Sequence, residues 1–293
     1  MRVFVTGATG YIGSLIVSEL MAAGHEVLGL ARSEAAVASL KAVGAEAHRG
    51  ALDDLDSLER GAEASDGVIH TAFIHDFSNY MESVETDRRA VEALGAALAG
   101  SGRPFVITSG VLGTTEDDAP APGAPRGASE ELALSMVDRG VRAMVLRLPP
   151  LVHGEGDHHG FTVRLIDIAR RKGVSAYVEE GSQRWAAVHR RDAVSLFMLA
   201  LEKGRAGSRY HAVADEGLPF RDVAGAIGKR LNLPVASISR EQAKDHFGFL
   251  AMFASTDNPR SSRLTRERLG WKPTRPSLIQ DLEQGAYFGG GES

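Results

Sequence analysis

Residues 6–13 read TGATGYIG. They follow the apolar run RVFV at 2–5 and lead into a segment from Ile12 to Ala23 in which Ile12, Leu15, Ile16 and Leu20 share one helical face before Gly24 stops it. A strand, a glycine-rich turn and a helix make one βα unit. At this spacing Gly7 permits the tight turn, Gly10 lets the backbone approach a pyrophosphate, and Gly13 lets the helix pack closely on the strand. Dinucleotide binding by Gly7, Thr9, Gly10, Tyr11, Ile12 and Gly13 is therefore expected.

Up to about residue 150 the alternation continues. EVLGL (26–30), GVIH (67–70), PFVITS (104–109) and RAMVLRL (142–148) are short, nearly continuous apolar runs, the pattern of parallel strands covered on both faces. Helical spacing fills the gaps. One helix starts from Ser33 as N-cap, turns Val37, Leu40 and Val43 inward and stops at Gly44; another, around residues 80–99, aligns Val84, Val91, Leu94 and Leu98. Strands and helices alternating in this way build right-handed βαβ units. The expected fold is α/β, a Rossmann-type doubly wound parallel sheet over residues 1–150. After Pro149 and Pro150 comes a Gly- and His-rich loop, HGEGDHHG (153–160), then helices with short strands such as RYHAVA (209–214). Residues 151–293 are expected to form a smaller, mainly helical, substrate-facing part. The Pro-rich loop APAPGAP (119–125) follows a strand's carboxyl end, where ligands bind in open α/β sheets.

Composition narrows the function classes. The 293 residues carry 33 Lys plus Arg against 38 Asp plus Glu, a formal net charge of -5, which is no electrostatic footprint for nucleic acid or an anionic membrane. With no cysteine there are no disulfides, thiolate metal sites or Cys nucleophile. No apolar run approaches the roughly 20 residues of a membrane span, and Met1 leads straight into a strand without a basic region and cleavage site. A cytoplasmic protein with a small-molecule partner, and no nucleic acid or membrane partner, is the expectation.

The end of the second strand selects the cofactor. An acidic residue there would hydrogen-bond the ribose of NAD, but the chain has LARS (30–33), and Arg32 with Ser33 suits a 2′-phosphate, favouring NADP over NAD. Ser33 can also cap a helix, and Arg32 can be a solvated charge. In GALDD (50–54), Leu52 and Asp53 border the adenine in one reading; in the other, Asp53 caps the helix at 55–61.

Together these segments resemble the short-chain dehydrogenase/reductases, in their extended and atypical branches. TGATGYIG is similar to their TGxxGxxG fingerprint, VIHTAF (68–73) to the strand beside the cofactor ribose, and FVITSG (105–110) to the strand bearing their catalytic Ser or Thr. LRLPPLVHGEGD (146–157) resembles their nicotinamide-lining segment, VHRRDAV (188–194) a motif on a following helix, and RERLGWKPT (266–274) their C-terminal signature. The match spans nearly the whole chain. The resemblance implies Thr71, Ala72, Phe73, Ser109 and Pro149 as cofactor neighbours. It also implies hydride transfer between NAD(P) and a carbonyl or alcohol, with a Tyr-x-x-x-Lys pair supplying the proton.

That pair is missing. Counting into PRGASEE (125–131), the Tyr position falls on Arg126 and the Lys position on Glu130, and Asp87 stands where the family often has an Asn. No Tyr lies between Tyr80 and Tyr177 to restore the pair. A guanidinium stabilises an oxyanion but does not donate a proton at ordinary pH, and a carboxylate would repel a developing negative charge. Either both residues are solvated charges at a helix start, the commoner fate, or Arg126 points into the cleft and acts electrostatically.

Ser109 still matches the family's catalytic constellation, with capping of a strand end as its alternative role. His75 and His153 are candidate general acids, because imidazole exchanges protons near neutrality. His70, in an apolar strand, is expected to be a satisfied core residue. No metal is expected: adjacent histidines such as His158 and His159 diverge on a strand-like segment, and a loop of His, Gly and Asp is usually only polar. Tyr80, Tyr177 and Trp185 suit packing better than a substrate wall. The leading reading is an NADP-dependent oxidoreductase reducing a carbonyl or similar acceptor through Ser109 with Arg126 or a His. The alternatives are a non-catalytic NAD(P)-sensing protein and a sugar-nucleotide epimerase. A possible homodimer would use helices at 80–99 and 128–139, where Leu98, Leu132 and Met136 serve either the interface or the sheet.

Overall fold

The opening unit forms as its glycines dictate: β1 (Arg2–Thr6) turns into α1 (Gly13–Ala22), and Gly24 at φ +82° lets the chain reverse into β2 (Glu26–Ala31). In this computed structural model residues 1–110, 113–284 and 287–288 are described. The alternation continues through α2 (Glu34–Ala42), β3 (Glu46–Arg49), α3 (Leu55–Glu63), β4 (Gly67–His70), α4 (Tyr80–Ala97), β5 (Pro104–Gly110), α5 (Gly127–Ser135) and β6 (Arg142–Leu148). There follow β7 (Leu151–His153), α6 (Phe161–Lys172), β8 (Ser175–Val178), β9 (Arg184–His189), α7 (Arg190–Lys203), β10 (Arg209–His211) and β11 (Asp215–Pro219). The described elements end with α8 (Phe220–Leu231), β12 (Val235–Ile238), α9 (Arg240–Phe247), α10 (Ala251–Ala254), α11 (Arg263–Leu269) and α12 (Leu278–Gln284).

Two compact units result. The first comprises Met1–Arg147, Val194–Tyr210 and Leu264–Trp271; the second comprises Leu148–Ala193, His211–Arg263 and the segment beginning at Lys272. The first unit takes two later returns of the chain. One brings β10 to the sheet edge beside β6, where Val145 N donates to Ser208 O at 3.0 Å; in the other, Trp271 Nε1 donates to Ser195 Oγ at 3.0 Å.

The central sheet has the order β3-β2-β1-β4-β5-β6-β10, with the pairs β1–β2, β1–β4, β2–β3 and β4–β5 parallel. This is the doubly wound order, and its direction reverses between β1 and β4, the switch point where such sheets bind ligands. Phe4, Val68, Phe105, Val145, Leu94 and Leu58 are among the residues of its core. Leu98 and Met136 are buried there too, so of the two roles open to them they take the sheet. Val43 departs from expectation: it follows the last turn of α2 as C-cap and is 50% exposed. Asp53 is not a cap either, since Asp54 accepts from Ser57 N at 3.1 Å and starts α3.

The second unit holds a three-stranded sheet, β11-β9-β7, and a parallel pair, β8 with β12. Trp185 is buried there, stacked on Phe220 at 4.9 Å, with its indole N–H donating to Phe253 O at 3.1 Å. Tyr177 packs against the same core, so both aromatics serve packing. Among the described residues no helix is long and apolar enough to cross a membrane.

Candidate active site

The parallel pairing brings the carboxyl ends of β1, β4 and β5 to one sheet edge. The glycine loop is built as close approach demands. Gly7 sits at φ +68°, and a Cβ on it would stand 2.8 Å from both Ala72 N and Thr71 Oγ1. A Cβ on Gly13 would stand 2.0 Å from Gly7 O. Gly10 N donates to Gly7 O at 2.9 Å, and Thr71 donates through its hydroxyl to Thr6 O at 2.8 Å, which binds the loops after β1 and β4 together. Thr9 and Gly10 are exposed, and Ile12 at the N-cap of α1 gives the helix no side-chain cap. A cradle of bare backbone at an uncapped helix N-terminus fits a pyrophosphate. Arg32 is exposed and has no ion-pair partner among the described residues, while Ser33 accepts from Ala36 N at 3.2 Å and caps α2. Leu52 is half-buried and Asp53 exposed.

Arg126 is not a solvated helix-start charge. It is the N-cap residue of α5, and its side chain, 17% exposed, turns in and lays the guanidinium 4.2 Å from the centroid of Phe73. Nη2 donates to Thr108 O at 2.8 Å and lies 3.4 Å from Asp87 Oδ1. Stacking on an aromatic face while bonding in the ring-parallel plane is what a flat guanidinium does well. Asp87, buried on α4, is the counter-ion. Burial pushes its carboxyl up, but the hydrogen bond from His70 and the Arg126 charge outweigh that and hold it below the usual carboxylate range. A carboxylate only accepts, so His70 donates through Nε2, at 3.3 Å; the Thr6 hydroxyl lies 2.8 Å from Nδ1. His70 is thus a satisfied buried residue, as expected, and also a link from β1 to Asp87.

Glu130 overturns the solvated reading more completely. It is fully buried, and its carboxylate accepts from Arg147 Nε at 3.0 Å, Arg147 Nη2 at 2.5 Å and Arg209 Nε at 2.5 Å. Arg147, also fully buried, donates onward to Asp118 O at 2.9 Å and Thr115 O at 3.5 Å. Two guanidinium groups on one carboxylate tie α5, β6, β10 and the loop after β5 into one node. Sequence reasoning did not find Arg147 or Arg209; a charge inside the apolar run RAMVLRL was the available signal.

Ser109, the last residue but one of β5, has its hydroxyl buried and without a hydrogen-bond partner. His75 is exposed, its ring 5.3 Å from that of Phe73, which Tyr80 also contacts. In the second unit Pro149 is buried. There His153 is fully buried, donating through Nδ1 to Asp281 Oδ2 at 2.5 Å. His189 lies edge-on to it at 5.4 Å; its Nδ1 accepts from Arg191 N, and burial pulls it below the usual histidine range. Asp281 was not anticipated. Among the described residues no group of three His, Cys, Asp or Glu is placed to hold a metal ion.

The fold is Rossmann-type, with a glycine-rich loop of the dinucleotide-binding pattern between its first strand and first helix. Residues 3–214 match the model of the NAD dependent epimerase/dehydratase family, and the chain belongs to that family. An uncharacterized protein of Schizosaccharomyces pombe is 54% identical over 296 residues, covering 98% of this chain and 100% of its own. A 4-hydroxy-2-methyl-3-oxo-4-farnesyl-3,4-dihydroquinoline-1-oxide ketoreductase of Stigmatella aurantiaca is 28% identical, covering 72% of this chain and 67% of its own. The structure of DesIV, a dTDP-glucose 4,6-dehydratase of Streptomyces venezuelae with NAD and TYD bound, superposes with a TM-score of 0.77 at 21% identity, covering 98% of this chain and 96% of that one.

Proposed function

We propose that the protein is an NADP-dependent reductase of small carbonyl compounds. The observation that carries this reading is the meeting, at one sheet edge, of a bare glycine cradle with a buried, unpaired Ser109 hydroxyl and an inward-turned Arg126. The ketoreductase relative points to the same reaction class. When bound, the reduced nicotinamide supplies hydride to the acceptor carbon. The chain's residues do the rest. Gly7, Gly10 and Gly13 with the start of α1 hold the pyrophosphate; Arg32 and Ser33 meet the 2′-phosphate, with no acidic residue at that position to prefer NAD. Thr71, Ala72 and Phe73 flank the cofactor, and Leu52 borders the adenine. Ser109 and Arg126 orient and polarise the acceptor oxygen.

His75 is exposed, and His153 is fully buried with its Nδ1 held by Asp281. An epimerase would need a group that removes a proton from the substrate and returns it, and Arg126, at the position of the family's tyrosine, does not. The test is a fluorescence titration with NADPH and NADH. The wild type is expected to prefer NADPH, and Arg32→Glu to reverse the preference. Equal affinities in both proteins would remove the NADP assignment; no binding of either nucleotide would remove the function.

A further inference from the structure

Buried polar atoms without hydrogen-bond partners concentrate where β5 ends and α5 begins. They are Thr108 Oγ1 and Ser109 Oγ on the strand and Arg126 Nε at the start of the helix, beside Ser129, whose hydroxyl bears on Asp87. Folded proteins leave few such atoms, so their occurrence where β5 ends and α5 begins marks a place that a ligand or water completes. The guanidinium is fixed by the Phe73 face, the Thr108 carbonyl and Asp87, and all of these leave its Nε edge spare. The ionisable groups bearing on it are Asp87 from α4 and, behind Asp87, His70 from β4; His75 and Tyr80 pack on the same Phe73 ring. Ser129 is the group that α5 itself adds.

We propose that this cluster is a fixed-cation oxyanion site, in which Arg126 Nε and the Ser109 hydroxyl hold an acceptor oxygen as it becomes negative, while no side chain of the cluster protonates it. The proposal rests on the reductase reading. Hydride from the reduced nicotinamide forms the new C–H bond, the C=O π pair moves to oxygen, and the oxygen takes its proton from water, leaving hydroxide to the buffer. A tyrosine in the place of Arg126 would give the proton itself; a guanidinium only holds charge. The consequence can be read at equilibrium, without turnover. The site binds a planar oxyanion, a phenolate or enolate, in preference to the neutral acid.

The probe is 4-nitrophenol, whose ionised form is read by its visible absorbance, titrated against pH with the protein in excess, with and without NADP. The bound probe is expected to ionise about one pH unit lower than the free probe, about a tenfold preference for the ion. Arg126→Gln should abolish the shift and Ser109→Ala, a smaller perturbation, should reduce it, while both keep the wild-type circular dichroism and urea midpoint. A bound probe with an unshifted midpoint, no binding at millimolar concentration, or a shift that survives Arg126→Gln in folded protein would each overturn the proposal. Failure to bind NADPH would instead overturn the reductase reading, and the nucleotide-free titration would still judge the oxyanion site.

Discussion

Truncating Glu130 is the change whose cost the structure defines best. Glu130→Ala removes a carboxylate that accepts three hydrogen bonds from two guanidinium groups. Arg209 keeps Glu131 at 3.1 Å, but Arg147, fully buried, is left to backbone carbonyls such as those of Thr115 and Asp118. Breaking a buried pair from one side costs about 3–5 kcal/mol, because the remaining charge is uncompensated. At about 2–4 °C per kcal/mol for a unit of this size, Tm should fall by about 6–20 °C. Glu130→Gln keeps the shape but loses the charge and sets an NH2 against guanidinium donors where an acceptor oxygen stood, so it should recover only part of the loss. Replacing both partners, Glu130→Leu with Arg147→Met, should recover much of the loss, as apolar replacements of buried pairs often do. Trp271 lies in the first unit and Trp185 in the second, so urea unfolding followed by tryptophan fluorescence in a Trp185→Phe background reports on the first unit alone. A Glu130→Ala cost below about 1 kcal/mol, or a double variant no better than the single one, would refute the reasoning.

Gly13→Ala should abolish nucleotide binding, measured by NADPH fluorescence, since its Cβ would lie 2.0 Å from Gly7 O; Gly24→Ala, where a Cβ meets nothing within 4 Å, should leave binding intact. Asp54→Ala should destabilise by about 1 kcal/mol in urea unfolding through the lost cap of α3, and Asp53→Ala should not. Asp87 is held below the ordinary aspartate value of 3.8, so the stability it contributes is present above that pH and lost as pH falls through its lower folded value. Asp87→Asn should therefore flatten the acid limb of the urea midpoint measured against pH.

Sequence and structure agree where the signal is local. The glycine loop, β1, β2, β4, β5 and β6 and the stripe on α4 follow from periodicity and from glycines whose lost Cβ atoms have identifiable neighbours. Errors of one position arise at helix ends, where Asp53 and Asp54 are equally good caps on paper and only backbone direction chooses. The fate of Arg126 and Glu130 was not legible. An Arg at a helix start is usually solvated, and its counter-ion Asp87 comes from 39 residues away. Glu130 meets Arg147 across 17 residues and Arg209 across 79, and His153 meets Asp281 across 128, separations that leave no periodic trace. What the sequence did carry was one half of the ion pair, Arg147 inside the otherwise apolar run RAMVLRL.

The most direct test of the account is hydride transfer itself. Wild-type protein is mixed with NADPH carrying deuterium at the transferable position and a panel of aldehydes and ketones, and the products are weighed by mass spectrometry. The account predicts deuterium on the carbinol carbon of at least one product, with transfer sharply slowed in Ser109→Ala and Arg126→Gln while NADPH still binds. Tight NADPH binding with no deuterium in any product would contradict it and leave a protein that senses the nucleotide without using it.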